Sequence, residues 1–330
     1  MLSLAEYLDS WAGSDSTRLA VAQTVQAIAA VSIEVAAIIA EGELEGALDE
    51  TVGQNTDGDA QKALDVRANE LFIDALKKAP VAVLGSEESD EAVPMAKGAS
   101  LAVTLDPLDG SSNIATNVSV GSIFAIYPAL EGASLGASLL QQGDCQLGAG
   151  FVIYGPQTTL ALTLRDGTHV FTLSRRRGSY WQTRPEIAIP TDRAEYAING
   201  SNARHWSPPV REYIDECLAG ETGPRGKNFN TRWVASLVAE AFRIFTRGGV
   251  FLYPGDQRRG YADGRLRLVY EANPISLLVE EAGGSATDGQ NRILELKPTE
   301  LHQRTPFVFG SADEVGKILT KHASQPTPDC

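Results

Sequence analysis

Short runs of Val, Ile, Leu, Phe and Thr follow one another at 81–84, 100–105, 120–127, 149–154, 158–164 and 168–173, separated by Gly and polar turns. Runs of this length bounded by turn signals read as strands, and so dense a series predicts a sizeable mixed sheet. Asp166-Gly167, between two of the runs, is a hairpin signal. Ahead of the sheet, Arg18 to about Ala40 and Asp59 to Ala79 carry helical apolar spacing, the second with Leu64, Ala68, Leu71, Phe72, Ala75 and Leu76 on one side. From Ser174 to Pro190 the pattern breaks into Arg175-Arg176-Arg177-Gly178 and two prolines. Helices are then expected at 207–218, 232–246 and 270–282, and strands at 250–253, 266–269 and 307–309. This organisation predicts an α/β protein with a domain at 1–190 and a second at 191–330, in line with roughly 100–200 residues per domain.

A net charge of −14 argues against a nucleic-acid backbone or an anionic membrane surface as partner, because both would be repelled. Small anionic substrates remain open if cations and a few arginines reverse the field locally. The start, Met1 to Gly13, has no basic region leading into an apolar stretch, so no secretion signal is expected. Val25 to Ala40 is apolar but interrupted by Gln26, Ser32 and Glu34, and reads as an Ala-rich packing helix too short to span a bilayer. Cys145, Cys217 and Cys330 are widely spaced without a CxxC, which fits thiols in a reducing, cytoplasmic compartment. The scattered histidines, His169, His205, His302 and His322, argue against a zinc site.

Directly after the apolar run ending at Leu105 stands Asp106-Pro107-Leu108-Asp109-Gly110-Ser111-Ser112-Asn113. The octet is expected where a strand stops and the backbone turns. Uncatalysed cleavage of a phosphate monoester is among the slowest reactions known, and paired cations can clamp its attacking and leaving oxygens. Magnesium takes carboxylate, carbonyl and water oxygens. Asp106, Asp109 and the Leu108 carbonyl supply such ligands, with Pro107 stiffening the turn. Gly110, Ser111 and Ser112 offer N–H groups and hydroxyls to phosphate oxygens. An ordinary Asx turn explains one Asp and the Gly, not the octet.

Two further segments belong with it. Gly85-Ser86-Glu87-Glu88 ends the 81–84 run, and an extended backbone there would send one Glu to a metal and the other to an attacking water. Taken alone, such an acidic stretch is more often a solvated loop; the octet reverses the odds. In Gly264–Pro274 a strand alternating basic and apolar residues leads Glu271 into a helix start. Arg265 and Arg267 would share a face by the period of two, suiting a second phosphate remote from the metals.

The octet, Ser86-Glu87-Glu88, Thr56-Asp57-Gly58-Asp59 with Leu64-Asp65, Gly249-Val250-Phe251-Leu252-Tyr253-Pro254 and the Gly264–Pro274 segment occur in one order. Together they resemble class I fructose-1,6-bisphosphatase over most of the chain. Inositol-phosphatase-like enzymes share the Asp-Pro-Leu-Asp-Gly idea but diverge after it. The resemblance implies a layered α-β-α-β-α sugar-phosphatase fold and hydrolysis of a sugar bisphosphate with two or more Mg2+ per subunit, Mn2+ being an alternative. It places Glu87, Asp106, Asp109, Glu271 and the Leu108 carbonyl on magnesium ligands, and Asp59 near an extra metal position. Glu88 and Asp65 fall on the pair that orients and deprotonates the attacking water. Ser111 and Ser112 fall on residues holding the scissile phosphate. Asn199, Tyr253 and Arg265 correspond to contacts with the far phosphate and sugar, and Arg232 to an arginine from a neighbouring subunit, which implies a homotetramer. A non-catalytic phosphosugar-binding subunit would be expected to have lost one or more of these acids, and this chain keeps them all.

The departures cluster at the far-phosphate end, where Asn202 and Trp233 stand in place of tyrosines and Arg265 in place of a lysine. Sedoheptulose 1,7-bisphosphate, one carbon longer, is therefore a second candidate substrate. The animal-type AMP site uses a Lys-Tyr pair and an Arg where this chain has Ser100, Leu101 and Pro128, which leaves an AMP phosphate without a cation. AMP titration of phosphatase activity is expected to give weak or no inhibition by that route; tight, complete inhibition would refute it.

Overall fold

The computed structural model describes residues 1–54 and 60–324. Asp57, Asp59 and Cys330 lie outside the described residues. The chain opens with α1 (Leu4–Ala12) and α2 (Ser16–Glu41), then the β1 (Thr51–Gln54) and β2 (Ala60–Lys62) pair and α3 (Ala63–Leu76). Next come β3 (Val81–Ser86), β4 (Val93–Pro94), β5 (Leu101–Asp109), β6 (Val120–Pro128), α4 (Leu135–Leu139), β7 (Gly148–Tyr154), β8 (Thr158–Thr163), β9 (Thr168–Ser174) and β10 (Ser179–Arg184). Strands β3 to β10 form one eight-stranded sheet in the order β10-β9-β8-β7-β6-β5-β3-β4, antiparallel throughout except for the parallel β3–β5 pair. The rest of the chain supplies β11 (Glu195–Ile198), α5 (Pro208–Leu218), β12 (Asn230–Thr231), α6 (Leu237–Arg247), β13 (Val250–Tyr253), β14 (Leu266–Arg267), α7 (Asn273–Glu281), β15 (Ser285–Thr287), β16 (Arg304–Thr305), β17 (Phe307–Gly310) and α8 (Ala312–Ala323). Its second sheet is mixed too, in the order β12-β11-β13-β17-β15.

The period of two along the strands sorts the core into layers. Leu101, Val103 and Leu105 face α1 to α3, as do Phe124 and Ile126. Their neighbours Ala102, Ile123, Ala125 and Tyr127 face the opposite way, into a core shared with α6, α7 and the inner face of the second sheet. The outer face of that sheet, with Ile198, Leu252 and Val308, packs on α5 and α8. The stack is α-β-α-β-α. Helix α2 is longer than the apolar stretch at 25–40, and by length and composition it could cross a membrane; here Val25, Ile28 and Val35 are buried against α3 and the sheet.

Several expectations shift for identifiable reasons. Strand β5 does not stop at Leu105 but runs through the acids to Asp109, with one extra residue bulged between the Asp106–Ile123 and Asp109–Gly121 pairs. Pro107 lies in the bulge, where its missing N–H takes nothing from the ladder. The Ser174–Pro190 break contains β10, whose edge position leaves most of its side chains partly exposed and so erases the apolar alternation. The helix expected from Arg232 begins at Leu237, because Ala235 adopts φ 60° and the Ser236 hydroxyl caps the Ala239 N–H. The strand expected at 266–269 is cut at Arg267 by a π-helical turn, Leu268–Ala272, that precedes α7.

Gly121 sets how closely α6 approaches the sheet. A Cβ there would stand 2.3 Å from the Val152 carbonyl oxygen and 2.6 Å from Val238 Cγ2. Gly121→Ala is expected to lower stability by about 1–3 kcal/mol through overpacking, read as a drop in the urea unfolding midpoint; an unchanged midpoint would show that α6 has room to move.

Candidate active site

Asp106 and Asp109 flank the β5 bulge, and Glu271 arrives from the π-helical turn. One carboxylate oxygen from each lies within 4.8 Å of the others, and all three residues are buried. The bulge re-aims the aspartates: the Leu108 N–H donates to Asp106 Oδ1 at 2.9 Å, closing an Asx turn. Asp109 Oδ2 accepts from the Val238 N–H at 3.0 Å and the Ser236 hydroxyl at 3.3 Å, so it sits on the first turn of α6. Glu271 accepts from the Arg267 N–H at 2.5 Å. The Thr104 hydroxyl donates to the Val269 carbonyl at 3.2 Å, pinning the π-helical turn to β5.

Glu87 and Glu88 do not lie in extended backbone. They form a turn just past β3, in which the Glu87 N–H donates to the Leu105 carbonyl at 3.0 Å. Glu87 Oε1 is 3.6 Å from the Arg267 guanidinium. Arg265 and Arg267 therefore part company: Arg267 is buried and turns toward the acids, while Arg265 lines a separate cavity. Arg265 lies in a bend ahead of β14, which begins only at Leu266, so no strand alternation relates the two side chains. Glu88 accepts from Gln61 Nε2 at 2.6 Å. Asp65 Oδ2 accepts from the Lys62 N–H at 2.7 Å, and its Oδ1 is buried without a hydrogen-bond partner among the described residues.

Electrostatics bind these groups into one cluster. Burial, then repulsion from Glu87, Asp109, Glu271 and Glu88, drives the Asp106 carboxyl well above the ordinary carboxylate range. Burial does the same to Glu271, with Glu87 and Asp109 adding to it. Asp109 rises only to about 6, because its α6 hydrogen bonds oppose its burial. Asp65 rises to about 7, from burial first and then Glu88 and Glu87. Clustered, dehydrated carboxylates whose charge Arg267 offsets only in part are the donor set of a hard divalent cation.

Gly110, with φ 78°, turns the chain from β5 into a 3-10 turn at Ser111–Thr116, and Ser111 and Ser112 are at least partly accessible beside the acids. At the other end, Asn199, Tyr253 and Arg265 line one cavity together with Asn202 and Arg258. Tyr253 bridges the two ends: burial raises its hydroxyl pKa, Arg265 lowers it and Glu271 raises it. Its ring stacks with Trp233, centroids 5.9 Å apart. Arg232 does not join that cavity; it is exposed beside the β12 edge, its N–H bonded to the Tyr196 carbonyl. Sequence reasoning missed Gln61, Ser236 and Arg267 as parts of the acidic site. Only Ser236 had a legible signal, a Ser ahead of an apolar helical run.

The N-terminal domain description of fructose-1-6-bisphosphatase matches residues 13–185, and its C-terminal domain description matches residues 189–323. The chain belongs to the fructose-1,6-bisphosphatase family, class 1. A class 1 fructose-1,6-bisphosphatase of Azorhizobium caulinodans is 52% identical over 97% of this chain and 98% of its own length. One from Nitrobacter hamburgensis is 54% identical over 97% and 92%. The crystal structure of Leishmania major fructose-1,6-bisphosphatase in holo form superposes with a TM-score of 0.91 at 34% identity, over 98% of this chain and 99% of that one. This is a family of phosphoric monoester hydrolases, and the layered α/β fold is the family's.

In the metal-free chain the buried acids keep their protons to higher pH when folded than when unfolded, where Asp ionises near about 4. Folded stability is thus unaffected below that pH and falls as pH rises through about 6 for Asp109, and further for Asp106 and Glu271. A divalent cation takes the protons' place. The melting-temperature gain on replacing EDTA with a divalent salt is therefore expected to grow from pH 5 to pH 8; a gain independent of pH would disprove this linkage.

Proposed function

We propose that the chain hydrolyses the 1-phosphate of fructose 1,6-bisphosphate, giving fructose 6-phosphate and phosphate, with magnesium as cofactor, in gluconeogenesis or the reductive pentose phosphate cycle. The observation that carries the reading is the buried convergence of Asp106, Asp109 and Glu271 in a chain of this family. These three, with Glu87 and the Leu108 carbonyl, would hold the metal. When bound, magnesium neutralises charge on the phosphoryl and leaving oxygens. Ser111, Ser112 and the turn that opens at Gly110 hold the scissile phosphate. Glu88 and Asp65 orient the attacking water and take its proton, and the raised pKa of Asp65 together with its unengaged Oδ1 suits that exchange near neutral pH. No covalent phosphoenzyme is involved.

The far phosphate and the sugar lie against Asn199, Tyr253 and Arg265. In a homotetramer Arg232, exposed in one chain, would reach the same cavity of a neighbouring subunit. Asn202, shorter than the tyrosine the resemblance implies there, lines that cavity and favours a second substrate, sedoheptulose 1,7-bisphosphate.

Phosphate release from both sugar bisphosphates and from inositol 1-phosphate, with magnesium and with manganese, tests the reading. Release from fructose 1,6-bisphosphate is expected, and release from inositol phosphate alone would overturn it. Glu88→Gln is expected to lower kcat by about 100-fold or more with KM little changed; near-normal turnover would remove Glu88 from the proton-accepting role.

A further inference from the structure

The cavity holding Arg265 contains a second guanidinium whose charge is spoken for. Arg258 Nε donates to Asp256 Oδ1 at 2.9 Å and Oδ2 at 3.0 Å, and its terminal nitrogen also donates to Oδ2. Both residues line the cavity. Arg258 and Arg265 each stand 4.5 Å from the centroid of the Tyr261 ring. The two differ in their partners: among the described residues no carboxylate pairs with Arg265, whereas Asp256, only 7% exposed, neutralises Arg258.

The loop carrying this pair has a fixed shape. The Asp256 N–H donates to the Tyr261 carbonyl at 2.9 Å, and the Tyr261 N–H donates to the Arg258 carbonyl at 3.0 Å. Its neck is tight enough that a Cβ on Gly255 would stand 2.3 Å from the Ala262 carbonyl oxygen. Gly264, at φ 78°, presses its backbone against Thr305, where no side chain fits.

The mutual repulsion of two cations beside one ring is offset by a nearby anion, and Asp256 provides that anion for Arg258. A phosphate monoester dianion brings nearly twice the charge of a carboxylate, with acceptor oxygens that a guanidinium grips two at a time. We propose that Asp256–Arg258 is a displaceable ion pair: a phosphate seated on Arg265 draws Arg258 away from Asp256, making Arg258 the second guanidinium that this chain itself places on the far phosphate, and Asp256 its competitor. The proposal deepens the fructose 1,6-bisphosphate reading and rests on it for the identity of the substrate.

The two members of the pair then have opposite effects, which a loop brace would not produce. Arg258→Ala is expected to raise KM for fructose 1,6-bisphosphate and Kd for fructose 6-phosphate about tenfold, with kcat within about threefold. Asp256→Asn is expected to lower both constants, and Arg258→Lys, which keeps charge but loses the two-bond grip, to fall between Arg258→Ala and the parent. Arg259→Ala, a neighbouring exposed cation, serves as control. Weaker binding in both Asp256→Asn and Arg258→Ala would make the pair a structural brace, and unchanged constants in Arg258→Ala would remove Arg258 from the site; either overturns the proposal. Calorimetric binding of fructose 6-phosphate decides the matter even if no sugar bisphosphate is hydrolysed, an outcome that would fell the functional reading instead.

Discussion

Three carboxylates held within 4.8 Å of one another, away from water, are the arrangement on which the rest of this molecule depends. Dehydration and mutual repulsion both oppose their ionisation. Folding tolerates the cluster because the framework around it supplies donors: the first turn of α6 to Asp109, the Leu108 N–H to Asp106, and the Arg267 N–H to Glu271. These offset part of the unfavourable energy, and protons or a cation must supply the remainder. The site is thus a place where local instability has been built in and made useful, as preorganised charge-binding sites require.

The framework reaches the acids through a few backbone devices. A one-residue bulge at Pro107 and Leu108 lets a strand that is otherwise regular present two aspartates to the same region. Gly121, paired with Asp109 across the ladder, removes the side chain that would keep α6 off the sheet and hence off Asp109. The π-helical turn does the corresponding work on the other side, ending β14 at Arg267 and bringing Glu271 to the aspartates while Thr104 ties it to β5. The bulge and the π-helical turn depart from the regular period of their elements, and all three devices lie next to a carboxylate.

The far cavity solves a different problem. For a chain with net charge −14 to hold an anion it would need a locally reversed field that does not repel itself. Packing two guanidinium groups around Tyr261 and balancing one with Asp256 achieves this. Affinity in such an arrangement is a difference between two charge pairings, which makes it adjustable by either partner.

The main strands and helices and the acidic motif were legible in the chain because they are local patterns, whereas the layered arrangement came from the family resemblance. Apolar runs with period two and 3.6 specify strands and helices whatever they later touch, and the spacing of Asp106, Asp109, Gly110 and Ser111 marks a turn that can bind cation and phosphate. Edge strand β10 and the short strand β15 escaped because partly exposed or very short elements leave no apolar signature, while helix α1 did carry one, Leu4, Tyr7, Leu8 and Ala12 behind a Ser3–Glu6 capping box. The site's assembly was not local. That Arg265 and Arg267 would separate, where α6 would begin, and that Gln61 would meet Glu88 depended on a bend at Arg265 ahead of a two-residue strand, a left-handed residue at Ala235 and contacts between distant segments. Sequence alone thus determined the kinds of element and the chemistry of their side chains. Only tertiary structure decided which charges came together, because electrostatic energy and dehydration depend on separation in space and not along the chain.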